Sequence, residues 1–287
     1  MNILESIIQG IVQGLTEFLP ISSSGHLAIA QHFMGIRENN LFFNVSLHLG
    51  TLLSVVFVYH KMIFELILSF FRLPKKLFSG KKFSKNDKIV INLIVSLVPL
   101  FLLFVPIKNV KNLKTFASNL AESGNIKIVG ISLIVTGILL ITSSIYSKSL
   151  SKKKFPQKKM SEMSLIDSLF VGVAQLAASI FPGLSRSGST LSAGLLRGIK
   201  RESALDFSFI MGTPAILAAS ILEFKEAKEL GINIDWKTTF MGMIVSAFVG
   251  FLSIKLFKIL VSNDRTWIFS VYSFLVGSLI LIFGSIG

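Results

Sequence analysis

Six runs of about 20 mostly apolar residues, near 41–59, 89–107, 126–146, 204–222, 239–260 and 267–286, set the limits on how this chain can fold. At 1.5 Å of rise per residue, each is long enough to cross the roughly 30 Å of a bilayer's hydrocarbon core. The 287 residues are 52% hydrophobic and only 15% charged, too little polar surface for a soluble protein of this length. Lipid tails offer no hydrogen-bond partners, so such runs must be helices. The expectation is an all-α polytopic membrane protein with six transmembrane helices.

Two regions do not fit that template. Residues 2–19 make a helix of adequate length, but it carries Gln13 and Glu17 and stops at Pro20. After Ser22-Ser23-Ser24-Gly25-His26, the run 25–35 offers only about 16 Å of helix. Residues 165–181 and 188–196 repeat the arrangement around Pro182-Gly183-Leu184-Ser185-Arg186-Ser187-Gly188-Ser189-Thr190. Irregular backbone survives at membrane depth only inside protein or beside a wet cavity. Both regions are therefore expected to be re-entrant helical hairpins that enter and leave on one side.

The halves match at a fixed offset. Ser6, Gly10, Gln13 and Pro20 recur 162 positions later as Ser168, Gly172, Gln175 and Pro182, with Glu5 opposite Asp167. Ser46, Gly50 and Thr51 fall on Ser208, Gly212 and Thr213, and a one-residue slip lays Ser22, Ser24 and Gly25 on Ser185, Ser187 and Gly188. The expected organisation is a single membrane domain, 1–287, with halves 1–146 and 165–287 joined by a basic linker, 147–164. Three crossings per half is odd, so the second copy is inverted. In inverted repeats the site lies where the broken helices converge.

The formal net charge of +14 sits in connections rather than on a face. The 60–88 and 147–164 segments are rich in lysine and are expected in the cytoplasm. The acidic 223–238 loop and the 108–125 loop then lie outside, as do both termini. A basic collar of this kind argues against nucleic acid as a partner. There is no cysteine, which removes disulfides, thiolate nucleophiles and Cys-based metal sites. The N-terminus lacks the basic region of a cleavable signal and is expected to stay in the mature protein.

Chemistry-bearing residues concentrate at the two breaks. Gly10, Gln13, Gly14 and Glu17 form one helical stripe. A carboxylate in a span costs roughly 2.5–3.5 kcal/mol on insertion scales, so Glu17 needs a partner, a cavity or a cation. Arg186 is such a partner, and its planar fork also suits phosphate oxygens. Ser185, Ser187 and Thr190 add hydroxyls, and the helix beginning near Gly188 aims free amides at the same point. His26 lies nine residues after Glu17, across a turn that can fold the two together. His48 is open between packing and support of the site, while His32 and His60 look like interface residues.

Residues 13–27, Gln13-Gly14-Leu15-Thr16-Glu17-Phe18-Leu19-Pro20-Ile21-Ser22-Ser23-Ser24-Gly25-His26-Leu27, resemble the first signature of bacterial undecaprenyl-diphosphatases of the bacitracin-resistance type. Pro182–Thr190 resembles the second, and the likeness extends over essentially the whole chain. The resemblance implies hydrolysis of undecaprenyl diphosphate to undecaprenyl phosphate and inorganic phosphate, recycling the lipid carrier of cell-wall synthesis. It implies a multi-pass protein of the bacterial cytoplasmic membrane, with the site open to the outer side. In that family the first acidic motif begins with Glu or Gln; here it is Gln13, which leaves Glu17 as the main acid.

On these expectations Glu17, His26, Ser23 and Arg186 are catalytic. Gln13, Ser22, Ser24, Ser185, Ser187 and Thr190 bind the diphosphate, and Glu17 is the metal ligand for a divalent cation, Mg²⁺ or Ca²⁺. Ser23 is the preferred nucleophile, with His26 and activated water left open. The partners expected are a polyprenyl diphosphate, the lipid bilayer and, in a homodimer, a second copy. Re-entrant inverted repeats also occur in transporters, so a carrier or flippase for a phosphate-bearing lipid or anion is the alternative.

Overall fold

The computed structural model describes residues 2–36, 41–106, 111–122, 125–229 and 235–283. Apart from a single bridge between Lys158 and Ile199, regular structure among them is helical. Five helices are long and apolar enough to cross a membrane: Phe42–Ser79, Lys85–Phe104, Ile126–Lys152, Arg201–Leu222 and Trp236–Ser262. The chain is an all-α, multi-pass membrane protein. The expected sixth span falls on a helix described over Trp267–Phe283, and its last residues lie outside the described ones.

Two helix–break–helix units stand apart from these crossings. In the first, α1 (Ile3–Phe18) opens with a capping box: Asn2 Oδ1 accepts from the Glu5 amide and Glu5 Oε2 from the Asn2 amide, both at 2.8 Å. It stops where Pro20 approaches, since proline restricts the residue before it to extended backbone. A short α2 (Ser23–Phe33) follows.

The chain then runs through α3 (Leu41–Ser79), α4 (Lys85–Leu97), α5 (Leu113–Glu122) and α6 (Ile126–Lys152). The second unit is α7 (Leu165–Ile180), capped reciprocally by Ser164 and Asp167, and α8 (Arg186–Leu196). Helices α1 and α7 each have 16 residues, and α2 and α8 each have 11. The one-residue slip in the alignment is thus one extra residue in the second break. Helices α9 (Arg201–Glu229), α10 (Trp236–Ser262) and α11 (Trp267–Phe283) complete the fold.

Several expected boundaries move. The span placed at 41–59 is followed by further helix to Ser79, across a kink at Tyr59, whose φ of −109° and ψ of 17° are not helical. Much of the expected 60–88 connection is therefore helix, because apolar residues such as Phe64, Ile67 and Phe71 persist among its lysines at helical spacing. The span at 89–107 changes character midway: Pro99 follows α4, and Val98–Phe104 winds as a 3₁₀ helix. Helix α5 occupies part of the expected 108–125 loop, and α9 runs through the first acidic residues of the 223–238 loop.

Each break unit is tied leg to leg. Gln31 Nε2 donates to Gln9 Oε1 at 2.8 Å, joining α2 to α1. Asp167, fully buried, accepts from Arg197 Nε and Lys158 Nζ at 2.7 Å each, joining the start of α7 to the end of α8. Helix α1 packs on α10 with its backbone nearly touching. A Cβ on Gly10 would come within 2.7 Å of the Gly242 carbonyl, and one on Gly14 within 2.9 Å of the Ser246 carbonyl. Beneath the first break, Phe18 meets Phe209 edge-on at 5.3 Å, and Phe257 and Phe269 extend the aromatic column. This packing fixes the end of α1, and with it Glu17.

Gly14→Leu should lower the unfolding temperature in detergent, by an overpacking cost of about 1–3 kcal/mol. Ile11→Ala, on the exposed face of the same helix, should leave it nearly unchanged. Equal unfolding temperatures for the two variants would contradict the close α1–α10 approach.

Candidate active site

The two breaks meet in the interior. Ser187 Oγ donates to the Leu19 carbonyl at 3.3 Å, and Gly188 lies against Pro20. Between them is a cavity of about 250 Å³ whose walls include Glu17, Ser22, Ser23, Ser24, Ser185 and Arg186. Small residues of α7 and α9, among them Ser179, Ala215 and Ser220, close the other sides.

Glu17, 6% exposed, is the hub. Its Oε1 is ion-paired with Arg186 Nη2. Its Oε2 accepts from Ser23 Oγ at 2.8 Å and from Gln13 Nε2 at 2.9 Å, one helical turn back. His48 Nδ1 lies 3.3 Å from the same oxygen and 2.9 Å from Gln13 Nε2. A buried carboxylate surrounded by a guanidinium, an amide, a hydroxyl and an imidazole has its insertion cost offset locally. Arg186 fits only because residue 212 is glycine: a Cβ there would overlap its Nη1.

The serines divide by task. Ser22 sits at φ +72°, ψ 99°, a conformation that costs a non-glycine residue on the order of 1–3 kcal/mol. That turn starts α2 with Ser23 facing Glu17, while Ser22 Oγ accepts from the Gly25 amide at 3.4 Å as N-cap. Ser185 does the same for α8, accepting from the Gly188 amide at 3.1 Å. The cavity is thus bounded by two helix N-termini, where amides and dipole favour an anion.

Some expected site residues lie elsewhere. Thr190 is buried away from the cavity, its Oγ1 donating to the Arg186 carbonyl at 2.8 Å and lying 2.6 Å from Ser208 Oγ. It holds the turn that carries the arginine. Ser187 is likewise buried, bridging to Leu19 and, at 3.2 Å, to Ser185 Oγ. His26 does not close on Glu17. Its Nδ1 lies 2.8 Å from the Ser22 carbonyl and its Nε2 2.6 Å from Tyr272 Oη, because α2 starts at Ser23 and turns the ring outward. The imidazole beside Glu17 is that of His48, on α3. The sequence leaves His48, between the repeat-matched Ser46 and Gly50, open between packing and support, whereas Tyr272 lies on a helix remote in sequence from the breaks and no motif spacing marks it.

A divalent cation would find one carboxylate here, not a cage. Among the described residues no three of His, Cys, Asp and Glu cluster as metal ligands. Gln13 Oε1, however, is buried without a hydrogen-bond partner beside Glu17. One carboxylate plus one free amide oxygen suits an ion shared with phosphate oxygens, the usual way Mg²⁺ is held.

The sequence matches the family model described as "Bacitracin resistance protein BacA" over residues 6–279. Undecaprenyl-diphosphatase of Alkaliphilus metalliredigens is 37% identical over 99% of both chains, and that of Desulforapulum autotrophicum 35% over 99% of both. A third, from Halothermothrix orenii, is 34% identical over the full length of each. With the match spanning nearly the whole chain, this protein belongs to the bacitracin resistance protein BacA family.

Proposed function

We propose that this protein hydrolyses undecaprenyl diphosphate to undecaprenyl phosphate and inorganic phosphate in the Glu17–Arg186 cleft. The observation that carries the reading is the junction itself: an arginine and two helix N-termini face an acid already bonded to a serine hydroxyl. Full-length relatives that carry the name undecaprenyl-diphosphatase support hydrolysis over the carrier alternative.

In this reading Arg186, Ser185 and the amides at the start of α8 hold the terminal phosphate, with Ser22 and Ser24 at the other wall. Arg186 keeps one nitrogen on Glu17 and turns its remaining donors to phosphate oxygens, where charge grows during transfer. Glu17 Oε2 takes the proton of Ser23 Oγ as that oxygen bonds to the terminal phosphorus. The bond from this phosphorus to the bridging oxygen breaks, and undecaprenyl phosphate leaves with that oxygen. Water then attacks the phosphoserine, returning a hydrogen to Ser23 and releasing inorganic phosphate. The proton held by Glu17 is the one lost to solvent in the net reaction.

Gln13 and His48 position Glu17. His26, whose ring nitrogens face the Ser22 carbonyl and Tyr272 Oη, takes no proton from Glu17 in this reading. Glu17 and Gln13 Oε1 would hold a divalent cation, Mg²⁺ or Ca²⁺, which when bound neutralises diphosphate charge.

Six crossings and two re-entrant hairpins, arranged as inverted halves 1–146 and 165–287 about the 147–164 linker, complete the reading. The equal lengths of the paired hairpin helices support it. The lysine bias supports a cytoplasmic 147–164, and the family resemblance supports a cleft open to the outer side of the bacterial cytoplasmic membrane.

Purified protein in detergent should release phosphate from undecaprenyl diphosphate without any gradient, and a strict need for sealed vesicles would favour the carrier. Arg186→Lys keeps the charge but not the fork, so its turnover should fall by about a hundredfold to a thousandfold. Near-wild-type turnover in a folded Lys variant would reject the bidentate role. Acid quenching of the wild type during turnover of terminally labelled substrate should trap phosphate on the peptide carrying Ser23, and Ser23→Ala should lose both label and activity. An active, unlabelled Ser23→Ala protein would instead make water the nucleophile.

A further inference from the structure

Beside the polar cleft lies a second cavity of about 280 Å³, walled by the 3₁₀ segment on one side and α9 on the other, with the exposed Lys114 of α5 the one charged residue that lines it. The 3₁₀ geometry shapes its wall. With three residues per turn, side chains at i and i+3 eclipse. Leu100 and Leu103 therefore form one straight ridge and Phe101 and Phe104 a second, where an α-helix would wind them around its axis. Pro99 sits at the first turn of this segment, where a missing amide hydrogen is tolerated.

The facing wall of α9 is built from small side chains. Ala215 and Ala219 line both this cavity and the polar cleft, so the two adjoin at small side chains of α9. Ala218 and Leu222 carry the surface onward. A larger apolar cavity of about 480 Å³ lies between α6, α7 and α8, but the residue it shares with the cleft is the bulkier Leu184. Phe101, at 70% exposure, marks where the smaller cavity opens sideways. In a multi-pass membrane protein that direction is lipid.

We infer that the groove between the 3₁₀ segment and α9 receives the isoprene units nearest the diphosphate of the substrate, with the rest of the prenyl chain passing out beside Phe101 into the bilayer. This rests on the proposed hydrolase reading and extends it to substrate choice. A groove lined almost wholly by apolar side chains recognises chain rather than headgroup, through the apolar surface it removes from water. It therefore favours a polyprenyl diphosphate over a water-soluble diphosphate through KM.

The test uses the wild-type protein and a farnesyl diphosphate analogue bearing a diazirine on the isoprene unit next to the diphosphate. Irradiation and peptide mapping should place the adduct within 97–104 or 214–222, and excess undecaprenyl diphosphate should compete it away. Adducts confined to 131–139 and 170–177, or adducts that do not compete, would overturn the inference. Ala218→Trp fills the groove without touching the polar cleft. It should raise KM for undecaprenyl diphosphate about tenfold or more while hydrolysis of methyl diphosphate, which carries no isoprene unit, stays near wild type. Val135→Trp, in the larger cavity, should leave both near wild type. The reverse pattern would also overturn the inference, and if Ala218→Trp does not fold, the labelling decides alone. A wild-type protein labelled in the groove yet unable to release phosphate sinks the hydrolase reading and keeps a lipid groove. An active hydrolase labelled elsewhere sinks the groove alone.

Discussion

A glutamate and an arginine 169 residues apart are ion-paired across the junction of two broken helices, and the interior is arranged around that contact. Neither charge is tolerable alone at this depth. Isolated buried ions cost several kcal/mol each, and the pair is stabilising only because further hydrogen bonds complete it. Gln13, Ser23 and His48 supply those bonds on the glutamate side, and the glycine at 212 makes room on the arginine side. Bringing the two residues together requires both breaks, so the doubled architecture and the paired charges are one feature.

The breaks present chemistry because their backbones are not free to relax. Ser22 holds a conformation unfavourable to any residue with a side chain, and the reward is a helix start with Ser23 against Glu17. On the other side, Thr190 fastens the Arg186 carbonyl and Ser208 from within, and Asp167 clamps both legs of the hairpin through Arg197 and Lys158. Polar groups buried in this way are rigid, which suits a site that must stabilise charge without reorganising. The groove beside it is apolar and lined by small residues, so headgroup and chain meet different surfaces of the same helix, α9.

Much of this was legible in the sequence, for identifiable reasons. Apolar run length dictates helices in lipid, and the offset between Gly10 and Gly172 carries through to paired helices of equal length. The slip between Ser22 and Ser185 marks the one extra residue in the second break. Glu17 and Arg186 could be paired because a lone charge in a span demands a partner. What escaped notice depends on tertiary approach. The sequence leaves His48 open between packing and support of the site, and only the approach of α3 to α1 places it against Glu17. His26 turns to Tyr272, 246 residues away, and not to the acid nine positions before it. Ser187 and Thr190 belong to the same run as Arg186, yet helix geometry turns their hydroxyls inward. The continuation of α3 to Ser79 was hidden because lysines suggested a loop where the apolar spacing remained helical.

The central claim is energetic coupling between the two breaks through Glu17 and Arg186, and a double-mutant cycle on unfolding measures it directly. Glu17→Gln and Arg186→Gln, each leaving one buried charge unpaired, should separately destabilise the protein by about 3–5 kcal/mol. The double variant, with no charge left to compensate, should cost clearly less than their sum. Additive losses would mean that the two residues do not depend on each other, and would contradict this account.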